Sequence, residues 1–204
     1  MDDWVAVALE EYKTLRAESL GAIEQMQRTL QIGVAAIGLI TGFGIDTSAS
    51  QPAVQAGFAV ATPALAGTVL VLWLDQLRRS VFAGAHVARI EHSIALRFRD
   101  DDPPLTWETN IQRAFDPGSG YRYHHHWATA GALFAAAAPM VATSVVRLGR
   151  QGDWVLFAVT AGVVGLTLLA ALGYQAWVHR QVAGKHEETR EAIGLEAVPA
   201  SGAN

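Results

Sequence analysis

Four long apolar runs divide the chain: Thr29 to Ile45, Ala53 to Leu74, Trp127 to Val146 and Trp154 to Val178, none containing Asp, Glu, Lys, Arg or His. A polar stretch, Asp75 to His126, separates the second run from the third, and polar segments flank the set at both ends. A bilayer core of about 30 Å takes roughly 20 apolar residues of helix, within a range of roughly 17 to 25. All four runs fall in that range, the first at its lower limit with seventeen residues. One charged side chain at a span centre costs about 2.5 to 3.5 kcal/mol, against roughly 0.3 to 0.6 gained from each Leu, Ile, Val or Phe. The missing charges therefore decide the assignment more than mean hydropathy does. The pattern predicts an all-α integral membrane protein with four transmembrane helices in two hairpins. It divides the chain into an amphipathic helix (1–28), a first hairpin (29–74), a helical insert (75–126), a second hairpin (127–178) and a disordered tail (179–204).

Within that frame, Asp2 or Asp3 is placed to cap a helix that meets no Gly before Gly21 and no Pro before Pro52. Val5, Leu9, Tyr12, Leu15, Ile23, Met26 and Leu30 recur mostly at three- and four-residue steps, with Glu10, Lys13, Glu18 and Arg28 between them. Such a face serves either self-association and partner binding or packing on the chain's own insert. Asp46 to Pro52 reads as the turn of the first hairpin. Past Leu74, the steps of Leu77, Val81, Val87, Ile90, Ile94 and Phe98 continue the second helix as a stalk until the run Asp100 to Pro104 ends it. Leu105, Trp107, Ile111 and Phe115 then suggest a short helix starting near Thr106 or Asp102, and Asp116 to Gly120 a loop.

Trp73, Trp127, Trp154 and Trp177 all stand at predicted span ends, where amphipathic rings settle at the headgroup level, leaving Trp4 and Trp107 elsewhere. Gly38 and Gly42 form a small-xxx-small pair that lets helix backbones approach in lipid, and Gly131, Gly162 and Gly165 are read as packing glycines in the second hairpin. Pro63 and Pro139 each remove a helix hydrogen bond and are expected to kink their spans, with Thr62 or Thr143 at hand for the freed carbonyl.

Of the fifteen Lys and Arg residues, all but Arg147 and Arg150 collect on one side when both termini and the insert share it. The positive-inside rule makes that side cytoplasmic, so the expected location is a bacterial inner membrane with both termini inside. The formal charge of −4 points away from nucleic acid, and with no cysteine there is neither a disulfide framework nor a thiolate metal site.

Candidate chemistry is sparse. His124, His125 and His126 are consecutive and cannot converge on one metal from a regular helix; with Tyr121 and Tyr123 they read as an interfacial anchor. His86 and His92 are six apart and read as surface or packing residues, and Glu91 and Glu108 as lone carboxylates without a visible partner. No nucleophile elbow, phosphate loop, zinc-protease helix or dinucleotide glycine pattern occurs, so neither an enzyme nor a cofactor or metal is expected. The spans also lack the titratable residue an ion-coupled carrier needs at mid-membrane. Their polar groups, among them Gln55, Thr62, Ser144, Thr160, Thr167 and Gln175, either line a path between several copies or hydrogen-bond between helices.

The opening Glu11, Tyr12, Leu15, Arg16, Glu18, with Gln25, Gln27 and Gln31 before a glycine-rich span, resembles the start of a family of small, largely uncharacterised bacterial multi-spanning proteins. Ala83, Gly84, Ala85, Ile90, Glu91 and then Pro104, Leu105, Trp107, Glu108 resemble that family's central segment. The family carries no established catalytic residues. Its plan is similar to membrane effectors of bacterial conflict systems, which oligomerise and breach the membrane. The resulting expectation is a non-enzymatic homo-oligomeric or partner-binding membrane module acting through its cytoplasmic helices; an oligomeric pore and a small transporter subunit are the alternatives.

Overall fold

In a computed structural model the chain is all-helical among the described residues, which are 3–47, 51–98, 105–114, 121–152 and 154–194, with backbone alone at 45–47, 98, 111–114, 121–126 and 151. Five helices follow in order: α1 (Asp3–Thr47), α2 (Pro52–Phe98), α3 (Trp107–Ala114), α4 (Tyr121–Gln151) and α5 (Trp154–Ala192). Local chemistry sets their ends. Pro52 occupies the first helical position of α2, where its missing N–H is no loss, and the Gln51 carbonyl accepts the first helical bond from Gln55 N at 3.2 Å. Gly152 and Gly194 take φ of 75° and 70°, the left-handed cap that ends α4 and terminates the chain's last helix. Pro63 and Pro139 both lie inside unbroken helices. The Thr62 hydroxyl donates to the Phe58 carbonyl at 2.8 Å, so it does not reach the Ala59 carbonyl that Pro63 deprives of an N–H.

The residues expected to lose order after Arg180 are helical as far as Ala192, because Thr189 and Lys185 continue the helical pattern up to the Gly194 cap. Asp2, the tip of the first turn, the Asp100 to Pro104 stop, the Asp116 to Gly120 loop and the last ten residues lie outside the described residues.

Three helices, α2, α4 and α5, are long and apolar enough to cross a membrane. The run from Thr29 in α1 is not among them, and its last residues lie where only the backbone is described. The most apolar stretches of α2, α4 and α5 are 50%, 28% and 17% buried, so α5 turns most of its apolar surface outward. Val155, Leu166 and Leu169 are each about two-thirds exposed or more.

The chain forms two compact units: one of Met1–Gln25, Gln76–His124 and Val178–Asn204, the other of Met26–Asp75 and His125–Trp177. In the second unit α1 and α2 run antiparallel, with Gly33 against Val69 and Gly44 against Phe58, so that one number rises as the other falls. Met140 of α4 closes on Gly44 as well, and Gly67 of α2 meets Thr167 of α5. Ile37, Leu70, Leu74, Leu133, Met140 and Leu148 fill this unit's interior. Gly33, Ile37 and Gly44 share one face of α1, which leaves Gly38 and Gly42 on the other. In the first unit α1 and α2 are again antiparallel, with Tyr12 beside Glu91 and Ser19 beside Ser80.

A side chain at Gly33 would meet the branched Cγ atoms of Val69 at 2.5 Å, whereas at Gly44 it would meet the flexible Met140 Sδ at 2.7 Å. Gly33→Ala is expected to lower stability in detergent by about 1 to 3 kcal/mol, Gly44→Ala by less, and Gly42→Ala by under about 0.5 kcal/mol, measured by chemical unfolding.

Candidate functional site

The charged chemistry of the first unit converges on α3. An eight-residue helix is too short to hold itself together in water, and its first N–H groups have no partner within the helix. Thr106 stands at the cap position, and its carbonyl accepts the first helical bond from Asn110 N at 2.8 Å. Its hydroxyl is occupied by the Asn110 side-chain amide at 3.3 Å. The capping acceptor comes instead from α2. Glu91, 1% exposed, receives Glu108 N on Oε1 at 3.1 Å, and Thr109 N and Thr109 Oγ1 on Oε2 at 2.8 and 2.9 Å. The buried carboxylate is thus neutralised by a helix N-terminus, and that N-terminus is satisfied by the carboxylate.

Residues of α1 complete the cluster. Tyr12 donates to Glu91 Oε1 at 3.5 Å, and Arg16 Nη1 donates to Glu108 Oε2 at 3.0 Å. One helical turn separates Tyr12 from Arg16, which puts both on one face. The Arg16 guanidinium also lies 5.5 Å from the centre of the Trp107 ring. Gly84 on α2 leaves room for Glu108, since a Cβ there would collide with its Oε1. Burial pushes the Glu108 carboxyl above its ordinary 4.5; Arg16 opposes the rise and the Glu91 charge adds to it. Burial likewise lifts the Tyr12 hydroxyl above 10.0, with Glu91 reinforcing.

Glu91 and Glu108 therefore are not lone carboxylates: each has partners, 17 or more residues away in sequence. Tyr12, Arg16, Gly84, Glu91, Trp107 and Glu108 all meet in this one cluster. The sequence signals for it were the four-residue step from Tyr12 to Arg16 and the seven-residue step from Gly84 to Glu91, each a single helix face.

Elsewhere in the unit, Arg89 on α2 pairs with Glu188 on α5 at 2.6 Å, and Lys185 joins at 2.9 Å. Bonds to Arg89 and then Lys185 hold the exposed Glu188 carboxyl below its ordinary range. A shallow cleft of about 670 Å³ beside this pair is lined by Arg89, His92, Ser93, Glu188, Glu191 and Ala192. His86 is exposed and borders a smaller groove with Trp4 and Glu11. Among the described residues no three His, Asp or Glu side chains are grouped to hold a metal; the side chains of His124, His125 and His126 lie outside them.

The predicted packing glycines are placed differently from those that make close approaches within one chain. A Cβ at Gly38, Gly42, Gly131, Gly162 or Gly165 would meet nothing within 4 Å, and the close approaches fall at Gly33, Gly44 and Gly84. Of the expected interface tryptophans, Trp127, Trp154 and Trp177 are 43% to 67% exposed, whereas Trp73 is 6% exposed and belongs to the interior of its unit. Compared with known protein families, with curated proteins and with solved structures, the chain finds no match.

Glu91→Gln keeps the shape but confronts the α3 amides with an NH2 group. It is expected to cost about 2 to 3 kcal/mol and to raise hydrogen exchange at Glu108 and Thr109. The exposed Glu188→Gln should leave stability nearly unchanged in the same assay.

Proposed function

We propose that this protein is a four-span inner-membrane module that self-associates through its spans and offers its first unit to the cytoplasm as a fixed helical platform for a partner. The observation that carries the reading is the division of glycines on α1. Gly33 and Gly44 are used against Val69, Phe58 and Met140 of the same chain, while Gly38 and Gly42 open outward. Val34, Leu39 and Phe43 beside them are 50%, 63% and 65% exposed. In lipid a helix face of this kind gains little from hydrocarbon and most from close contact with another helix. The fourth span in this reading is the stretch from Thr29 in α1. The orientation rests on the Lys and Arg distribution.

The cluster around Glu91 supports a binding role over a catalytic one. The Glu91 oxygens are occupied by α3 amides and hydroxyls and Glu108 Oε2 by Arg16, an arrangement suited to fixing a helix in place. The polar groups of the spans support packing over a path between copies. Gln55, Thr62, Ser144, Thr160 and Gln175 are all 2% exposed or less within one chain. The outward Thr68 and Thr167 turn their hydroxyls back on the carbonyls of Ala64 and Val163 at 2.9 Å. An oligomeric pore shares the outward glycine pair and is separated from this reading by conduction.

Crosslinking in native membranes tests the association: a discrete oligomer is expected, with Gly42→Leu reducing it at least about tenfold, equivalent to about 1.4 kcal/mol. Unchanged crosslinking of Gly42→Leu would remove this helix as the contact. Dye leakage from liposomes holding the native protein, absent with Gly42→Leu, would move the conclusion to the pore.

A further inference from the structure

The Glu91 and Glu108 carboxylates share one pocket but are balanced in different ways. Glu91 is held by the amides and hydroxyl of α3 and by Tyr12, Glu108 by a single cation. Arg16 from α1 and Glu91 from α2 are the charged groups that face Glu108 among the described residues, and the Tyr12 hydroxyl donates to the Glu91 Oε1 that also accepts Glu108 N. The side chain of Glu108 is 11% exposed and that of Arg16 is 28% exposed, so the cation can turn to water more easily than the carboxylate. The other Glu108 oxygen occupies the space that the missing side chain of Gly84 leaves on α2.

We propose that Glu108 is a proton-operated coupling between α1 and α3. Ionised, its Oε2 holds Arg16 and ties the two helices together. Protonated, it loses the ion pair and offers Arg16 only a neutral carboxyl oxygen, and the guanidinium moves into solvent. The helix α3 stays seated on α2 in both states, because Glu91 caps it through its own oxygens. Acid therefore loosens α1 from α3 without unfolding α3.

Burial fixes the direction of the linked stability change. The Glu108 pKa is raised in the folded chain, so the stability its neutral form contributes is fully present below the unfolded-state value. That stability declines as pH rises through the folded one. The uncoupled, protonated state is thus a folded state that acid favours. The inference concerns the first unit alone and stands whether or not the spans associate.

The chain has no cysteine, so a spin label can be placed at Lys13→Cys on α1 and at Asn110→Cys on α3, both exposed. Distances between the labels in the full-length protein are measured by double electron–electron resonance from about pH 4 to about pH 9, a range that brackets a carboxyl moved up by burial. A narrow distribution is expected at the alkaline end. It should widen on acidification with a midpoint above the ordinary glutamate value of 4.5. Glu108→Gln should be wide at every pH, and Arg16→Gln, which leaves both carboxylates in place, should lose the response in the same way. A pH-independent width in the labelled parent, or a response that survives either substitution, overturns the proposal.

Discussion

The carboxylate of Glu91 accepting the first N–H groups of α3 is the contact on which the first unit depends. Each partner is unstable alone: the carboxylate is buried, and the helix is too short to form unaided. Their union solves both problems and sets a position for everything attached. Glu108 sits on the turn that Glu91 caps, so its carboxyl is presented to Arg16, and Tyr12 reaches the same acceptor from one turn away. The exposed ring of Trp107, the first residue of α3, is held under the Arg16 guanidinium by the same arrangement.

The second unit is held by different forces. Its interior is apolar side chains fitted to two glycines, and its buried polar side chains are neutral amides and hydroxyls. Dispersion and close fit dominate there, whereas charge meeting dipole dominates in the first unit. The distinction explains why glycine does unlike work in the two places. Gly33 lets a β-branched neighbour approach, and Gly84 leaves a carboxylate its place.

The helices were legible from sequence because apolar periodicity and turn chemistry act over a few residues. The start of α3 near Thr106, the stalk running to Phe98 and the unbroken first helix all follow from such local signals. The partners of Glu91 were not legible, since Tyr12 is 79 residues away and the α3 amides carry no side-chain signature at all. For the same reason the glycines that pack within the chain could not be told from those that face outward. Gly38 and Gly42 have the better spacing, yet the face that turns inward is chosen by Ile37 together with Gly33 and Gly44. The helical course beyond Arg180 was hidden by a composition of Gly and Glu that reads as disorder, and Arg89 anchors that segment through Glu188.

Seventeen residues separate Glu91 from the first amide it caps. A tether of that order keeps a loosened α3 at an effective concentration in the millimolar range around its acceptor. The cap is therefore an intramolecular contact, and any partner competing for α3 would compete with an acceptor held in the same chain. Binding of such a partner would be governed by its concentration relative to that tether, and not by the intrinsic strength of the cap alone.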